Sequence, residues 1–203
     1  MGEHRHEGVP SEFIREWLPR VAKGRALDVA MGEGRHALLM AASGFDVLGV
    51  DRDEAAISRA RSAARAGGLT LDARLLDLEI AGLAPLAPGG HPAQLALALV
   101  VNVNYLQRDL FPSFIEALSP GGWILFETFT TDHPRVSRAG RPSNPDYLLC
   151  PSELKNAFSG LLIEAYSETV IPAGDGDRKA VARLAARRPE GVPVTTRLSG
   201  EKG

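Results

Sequence analysis

The chain has 203 residues, 44% hydrophobic and 24% charged, with a single cysteine, and its 23 Lys and Arg against 25 Asp and Glu leave a net charge of −2. One domain holds about 100–200 residues, so this length fits one compact unit, and the apolar content excludes wholesale disorder. Cys150 alone can form neither an internal disulfide nor a cysteine metal cluster, and near-neutrality gives no global attraction to nucleic acid or anionic lipid.

Met1 to Pro10 has no apolar signal core, and the longest apolar stretch, Leu95 to Val101, falls far short of the ~20 residues of a membrane helix. A cytoplasmic protein is expected, without a membrane partner. His4 and His6 read as a solvated pair, and no metal site is expected. Ser11 can cap a short helix over 11–22, with Phe13, Ile14, Trp17, Leu18 and Val21 on one face and Pro19 ending it early. Arg25 to Ala30 reads as a buried strand running into the turn Met31-Gly32-Glu33-Gly34, and Arg35 to Ser43 as a helix stopped by Gly44. The grammar repeats with strand Asp46 to Asp51, a helix over about Asp53 to Ala66, the stop Gly67-Gly68 and strand Leu69 to Leu76. Such alternation predicts an α/β fold with a parallel sheet.

The second half is less regular. A loop, Pro85 to Pro92, precedes the apolar strand Gln94 to Val101; Asp109 can cap a helix with Leu110, Phe111, Phe114, Ile115 and Leu118 on one face. Ser119-Pro120-Gly121-Gly122 turns into strand Trp123 to Phe129. The polar segment 130–151 is longer than the ~12–15 residues usual for a structureless loop, which marks it as functional or disordered. Helix Ser152 to Phe158, strand Leu161 to Val170, a turn at Gly174-Asp175-Gly176-Asp177 and strand Lys179 to Arg187 complete the fold, the last two strands as an antiparallel edge hairpin. Residues 1–188 are read as one domain and 189–203 as a flexible tail.

In a parallel alternating sheet, ligands bind outside the carboxyl ends of the strands. The small residues of Gly32-Glu33-Gly34 sit there, at a helix start that offers unpaired N–H groups. Asp51 ends the second strand, where a carboxylate can accept from both hydroxyls of a ribose, and Asp77 with Leu78 ends the third, where an adenine edge and face would lie. The spacing reads as an adenosine site. Gly32-x-Gly34-x-x-Ala37 also satisfies a dinucleotide fingerprint, so a nicotinamide cofactor competes. Two features favour the other reading: the acidic Asp28 inside the first strand, and the Ser119-Pro120-Gly121-Gly122 entry to the fifth.

Leu27 to Ala37, Val50-Asp51-Arg52-Asp53, Asp77-Leu78 and Leu118-Ser119-Pro120-Gly121-Gly122 resemble, in order, the motifs of class I S-adenosylmethionine-dependent methyltransferases. Gly34-Arg35-His36-Ala37, Asn104-Tyr105-Leu106 and Gly140 to Asp146 resemble a small bacterial branch akin to the tellurite-resistance type. The resemblance runs from about Ser11 to Arg187. It implies a Rossmann-like, doubly wound, mostly parallel seven-stranded sheet with the antiparallel C-terminal hairpin at its edge, and S-adenosyl-L-methionine as cofactor. It further implies that Asp28, Ala30, Gly32 and Gly34 floor the methionine part, Asp51 holds the ribose, Arg52 flanks the adenine, Asp77 and Leu78 meet its amino group and ring, and Asn102 lies near the methionine carboxylate or the methyl group. Gln94 stands where the superfamily often has Asp opening the fourth strand.

Methyl transfer is an in-line displacement, and a general base is needed only when the nucleophile arrives protonated. Tyr105, His133, Asp132 and Tyr147 fall near the expected cleft; Tyr105 and His133 are the catalytic candidates. His36 either lines the cofactor site or packs, and Asp77 can simply cap the next turn. Cys150 reads as a packed loop thiol rather than a nucleophile. Loop 130–151, with Arg135, Arg138 and Arg141, is the candidate substrate lid, against a plain solvated charge run. The expected partner is a small-molecule methyl acceptor. RNA or protein methylation is the runner-up, with those arginines and Arg183, Arg187 and Arg188 facing phosphate; a nicotinamide oxidoreductase and a cofactor-binding module without activity come after it.

Overall fold

The computed structural model describes residues 8–174 and 176–191. The expectations for His4, His6, Asp175 and tail residues 192–203 lie outside the described residues.

Strands β1 (Arg25–Val29), β2 (Asp46–Asp51), β3 (Asp72–Leu75), β4 (Leu97–Val103), β5 (Leu118–Phe129), β6 (Leu162–Gly174) and β7 (Asp177–Arg187) form one seven-stranded sheet of order β3-β2-β1-β4-β5-β7-β6. The first five run parallel; β7 pairs antiparallel with both β5 and β6. The hairpin expected at the edge is therefore present, with β7 inserted between β5 and the edge strand β6. Helices α1 (Glu12–Trp17), α2 (Arg35–Ala42), α3 (Glu54–Ala66), α4 (Leu78–Ala81), α5 (Phe111–Ala117), α6 (His133–Val136) and α7 (Glu153–Ala157) flank the sheet or connect it.

Alternation along each strand divides the core into two layers. Leu27, Val29, Val100, Ile124 and Phe126 face a layer completed by Leu83, Phe111, Phe114 and Phe158. The rings of Phe111, Phe126 and Phe158 meet pairwise with centroids 5.2, 5.8 and 5.9 Å apart. Ala26, Val47, Leu99, Val101 and Leu125 face the other layer, with Phe13, Ile14, Trp17, Met40 and Ile57. Full burial of one such side chain contributes about 1.5–3 kcal/mol, so the two layers hold the sheet flanked on both faces. Asp28 shares its face with Ala26, beneath the start of α2.

Several local expectations are corrected. Ser11 stands at the N-cap of α1 without capping it through its side chain; its hydroxyl donates instead to Glu127 Oε2 at 3.0 Å. The third strand begins at Asp72, not Leu69. Gln94 belongs to a 3-10 turn over Pro92–Leu95, so it does not open β4, and Asn102 lies inside β4 rather than past it. Asp109 sits in a 3-10 turn, and α5 starts at Phe111 without a side-chain cap. Pro at its first turn suits a helix start because that N–H has no partner anyway. Ser119 to Gly122 form a bulge inside β5, between the Leu97↔Leu118 and Leu99↔Trp123 pairs. A Cβ on Gly122 would stand 2.5 Å from Leu97 O, so only glycine fits there. Segment 130–151 is a strap with structure of its own: a bridge between Thr130 and Leu149, α6, and a 3-10 turn over Pro145–Tyr147.

Candidate functional site

The carboxyl ends of β1 and β2 are joined by Asp51. Its Oδ2 accepts from Gly32 N–H at 2.7 Å and its Oδ1 from Asp53 N–H at 2.9 Å, while Met31 N–H donates to Val50 O at 2.9 Å. The glycine turn is thus fixed by the strand beside it. Gly34 adopts φ 81°, and a Cβ there would lie 3.0 Å from Ala60 Cβ, so this position lets α2 close against α3. No atom lies within 4 Å of where a Gly32 Cβ would stand, so the chain is open to a ligand at that point.

Asp28 is 1% exposed, and neither carboxylate oxygen has a hydrogen-bond partner among the described residues. Burial pushes its carboxyl up to about 7, an effect only partly offset by the Ala37 backbone N–H, which approaches it without reaching full hydrogen-bond geometry, and by the Arg35 guanidinium. A buried, unsatisfied carboxylate costs free energy unless something cationic or hydrogen-bonding meets it. His36 is also buried; its Nε2 accepts Ser11 N–H at 3.1 Å, which puts the ring proton on Nδ1. Burial pulls its pKa down to about 3, with the nearby Arg35 adding to the effect, so the ring is neutral.

Two adjoining cavities open above the strand ends. One, of about 410 Å³, is lined by Asp51, Arg52, Asp77, Leu78 and Glu79 at one end and by Leu106, Phe129, Pro142 and Tyr147 at the other. The second, of about 360 Å³, is lined by Asp28, Met31, Gly32, Arg35, His36 and Val103. Ala30, Asn104 and Tyr105 line both. The result is a groove with acidic groups at each end and a shared wall between them.

Of the residues singled out in the sequence, Asp28, Ala30, Gly32, His36, Asp51, Arg52, Asp77, Leu78, Tyr105 and Tyr147 line this groove. Gly34 lies behind it. Asn102 is fully buried beneath the wall; its Nδ2 donates to Tyr105 O at 2.7 Å and so supports the Asn104-Tyr105 segment, while its Oδ1 has no hydrogen-bond partner among the described residues. Asp77 caps α4 through Oδ1 and also lines the cavity. Arg52 pairs with Glu79 at 3.4 Å. Tyr105 donates its hydroxyl to Gln107 Oε1 at 2.5 Å, and burial pushes its pKa up to about 12, which makes it a donor rather than a base.

His133 does not reach the groove. It is buried, its Nδ1 accepts Ala180 N–H at 3.3 Å, its Nε2 therefore donates to Arg141 O at 2.8 Å, and its ring packs 4.4 Å from Phe129. Both nitrogens are taken by backbone, so the ring holds the strap and has no lone pair for a substrate proton. Asp132 is exposed and paired with Arg135 at 3.2 Å. Cys150 is exposed rather than packed. The supposed phosphate-facing arginines are largely engaged: Arg183 with Glu127 at 2.8 Å, Arg187 with Glu164 at 2.7 Å, and Arg188 with the carbonyls of Glu116 and Leu118.

Two features escape a reading of the sequence. Asn104, at φ 59°, forms the wall between the cavities, held by its N–H on Glu127 O at 2.8 Å. Glu127 is wholly buried and meets Lys179 Nζ at 3.0 Å, Arg183 Nε at 2.8 Å and the Ser11 hydroxyl. Burial works against its charge, but Lys179, Arg183 and Ser11 outweigh that and hold its carboxyl below the usual range. The signal was an acid in the apolar run Trp123 to Phe129, opposite basic residues of the last strand. Among the described residues no three His, Cys, Asp or Glu side chains gather as a metal site, and no helix is long and apolar enough to cross a membrane.

A β3-β2-β1-β4-β5 parallel sheet extended by an inserted antiparallel β7, with a glycine turn and an acidic β2 end, is the Rossmann-like methyltransferase fold rather than an all-parallel dinucleotide fold. A family model described as a methyltransferase domain matches residues 26–122. Those residues make up a methyltransferase domain similar to those of the class I S-adenosylmethionine-dependent enzymes. Among solved structures it superposes on TehB from Haemophilus influenzae with a TM-score of 0.67 and 18% identity, over 89% of this chain and 62% of that one. It also matches an S-adenosylmethionine-dependent methyltransferase from Mesorhizobium loti with a TM-score of 0.62 and 25% identity, over 86% of this chain and 95% of the other. In sequence it is 30% identical over 139 residues to Hemagglutinin 1 of Eikenella corrodens, covering 64% of this chain and 44% of that protein. The chain thus spans less than half the length of this curated relative.

Proposed function

We propose that this chain transfers a methyl group from S-adenosylmethionine to a small-molecule acceptor. The observation that carries this reading is the orphaned Asp28 carboxylate facing one half of a groove whose other half holds Asp51 and Asp77. S-adenosylmethionine supplies, when bound, a methyl group already activated on a cationic sulfonium.

Each oxygen of Asp51 already accepts one backbone N–H and keeps a second lone pair, so both ribose hydroxyls can donate to it. Leu78 and Arg52 flank the adenine, and Asp77 receives its amino group. Asp28 compensates the methionyl ammonium, which relieves the cost of its own burial. His36, with its proton on Nδ1, offers a donor to the carboxylate beside the backbone of Gly32. Tyr105 and Asn104 form the wall against which the sulfonium is oriented. Alignment and exclusion of water are then the main tasks, and orientation alone can supply about 7–11 kcal/mol. A small acceptor is favoured because the strap lies over the groove through Pro142 and Tyr147 and because Arg135, Arg183, Arg187 and Arg188 are already engaged.

Equilibrium titration with S-adenosylhomocysteine, followed by transfer of a labelled methyl group to an acceptor panel, tests this. Binding of S-adenosylhomocysteine without any response to NAD(P) is expected. Binding of NAD(P) alone would reverse the assignment.

A further inference from the structure

We infer that the acceptor is an uncharged, planar aromatic molecule, held at the end of the first cavity formed by Leu106, Phe129, Pro142 and Tyr147. The inference rests on the methyltransferase reading and extends it to the class of substrate.

The charge in this cavity is one-sided. Asp51, Arg52, Asp77 and Glu79 all come from the ends of β2 and β3 and from α4, while the opposite end, built by the β4 loop, the end of β5 and the strap, holds no ionisable side chain but a tyrosine phenol. In the order β3-β2-β1-β4-β5, the outermost strands of the two ends, β3 and β5, stand four strand spacings of about 4.8 Å apart, room for an adenosine at one end and a ring at the other. An anion at the aromatic end would lose its water without meeting a cation among the side chains that line it, since the cavity's lining arginine, Arg52, is at the far end and paired with Glu79.

The aromatic walls are also set in advance. Phe129 packs on His133, which grips Arg141 O one residue before Pro142. Arg108 donates to Asp146 O at 2.8 Å and Leu148 O at 2.9 Å, on either side of Tyr147, and closes on Glu153. The Phe129 ring and the backbone that carries Pro142 and Tyr147 are thus held from behind, which suits a flat ligand because little freedom is lost when it binds. In the reaction, a lone pair on the acceptor's heteroatom forms the bond to the methyl carbon as the carbon–sulfur bond breaks, its electron pair remaining on sulfur. Any proton on that heteroatom passes to water, since this end offers no carboxylate or free imidazole.

A matched pair of probes tests the inference on the intact chain saturated with S-adenosylhomocysteine: 2-naphthol and 6-hydroxy-2-naphthoate, titrated by calorimetry. The naphthol is expected to bind, and the naphthoate at least about tenfold more weakly. Tyr147→Ala, a change at a residue that is 51% exposed and so tolerable to the fold, should weaken naphthol by about fivefold while S-adenosylhomocysteine affinity holds. Equal or tighter binding of the naphthoate, an unchanged Tyr147→Ala variant, or no naphthol heat from a protein that binds S-adenosylhomocysteine overturns the inference alone. Failure to bind S-adenosylhomocysteine overturns the methyltransferase reading and this inference with it.

Discussion

Ser11 donates its backbone N–H to Nε2 of His36 across 3.1 Å, and in the same step its hydroxyl reaches Glu127 at 3.0 Å. One residue at the start of α1 thereby fixes the tautomer of a histidine in the groove and ties it to the buried charge cluster of β5 and β7. The chain entering α1 is thus part of the groove's support.

A pH dependence follows. The His36 pKa falls on folding from 6.5 to about 3, so the unfolded chain binds the extra proton between those values. Its neutral burial therefore adds stability in full above pH 6.5, and this is lost as pH falls toward 3, with a slope of up to about 1.4 kcal/mol per unit. His36→Phe should flatten that limb of the melting-temperature profile and weaken S-adenosylhomocysteine binding. A profile identical to the parent's would contradict the neutral, buried assignment.

Asp28 works in the opposite sense. Its carboxyl rises from 3.8 to about 7 on folding, so the folded chain holds the extra proton across that window and stability falls as pH climbs through it. Asp28→Asn should raise the melting temperature of the ligand-free protein at pH 8 more than at pH 4 while reducing cofactor affinity. Both halves are needed; a variant that melts lower at pH 8 would show that the carboxylate is structural.

Glu127 marks a site where one change leaves two charges behind. Replacing it by Ala strands Lys179 and Arg183, which are 19% and 18% exposed, and loss of one partner of a buried pair costs about 3–5 kcal/mol. Chemical denaturation measures this directly. The glutamate's depressed pKa also means that its stabilisation is present at neutral pH and lost on acidification through the folded value. A Glu127→Ala loss below about 1 kcal/mol would indicate an exposed pair instead.

Much of the site was legible because its signals are local. A short apolar strand, a glycine turn and an acid at the next strand's end are contiguous in sequence, so Gly32, Asp51 and Asp77 could be placed at the strand ends, where they line the groove. Asn102 and His133 were not legible in the same way. Their roles depend on backbone groups brought to them by the fold, Tyr105 O for one and Ala180 N with Arg141 O for the other. The Ser119 to Gly122 signature marked the right place but not its form, since a turn and a bulge use the same glycines. Glu127 was hidden because its cations, Lys179 and Arg183, come from a strand 52 and 56 residues later.

In the proposed function, Asp51 and Asp28 hold the two ends of one cofactor in a continuous groove. Titration calorimetry of S-adenosylhomocysteine against the parent chain and against Asp51→Ala and Asp28→Asn tests it most directly. Saturable binding by the parent is expected, with a loss of roughly 1.5–3 kcal/mol for Asp51→Ala, the scale of hydrogen bonds to a charged group, and a comparable loss for Asp28→Asn. Parent-like affinity in both variants, or no binding by the parent, would contradict it.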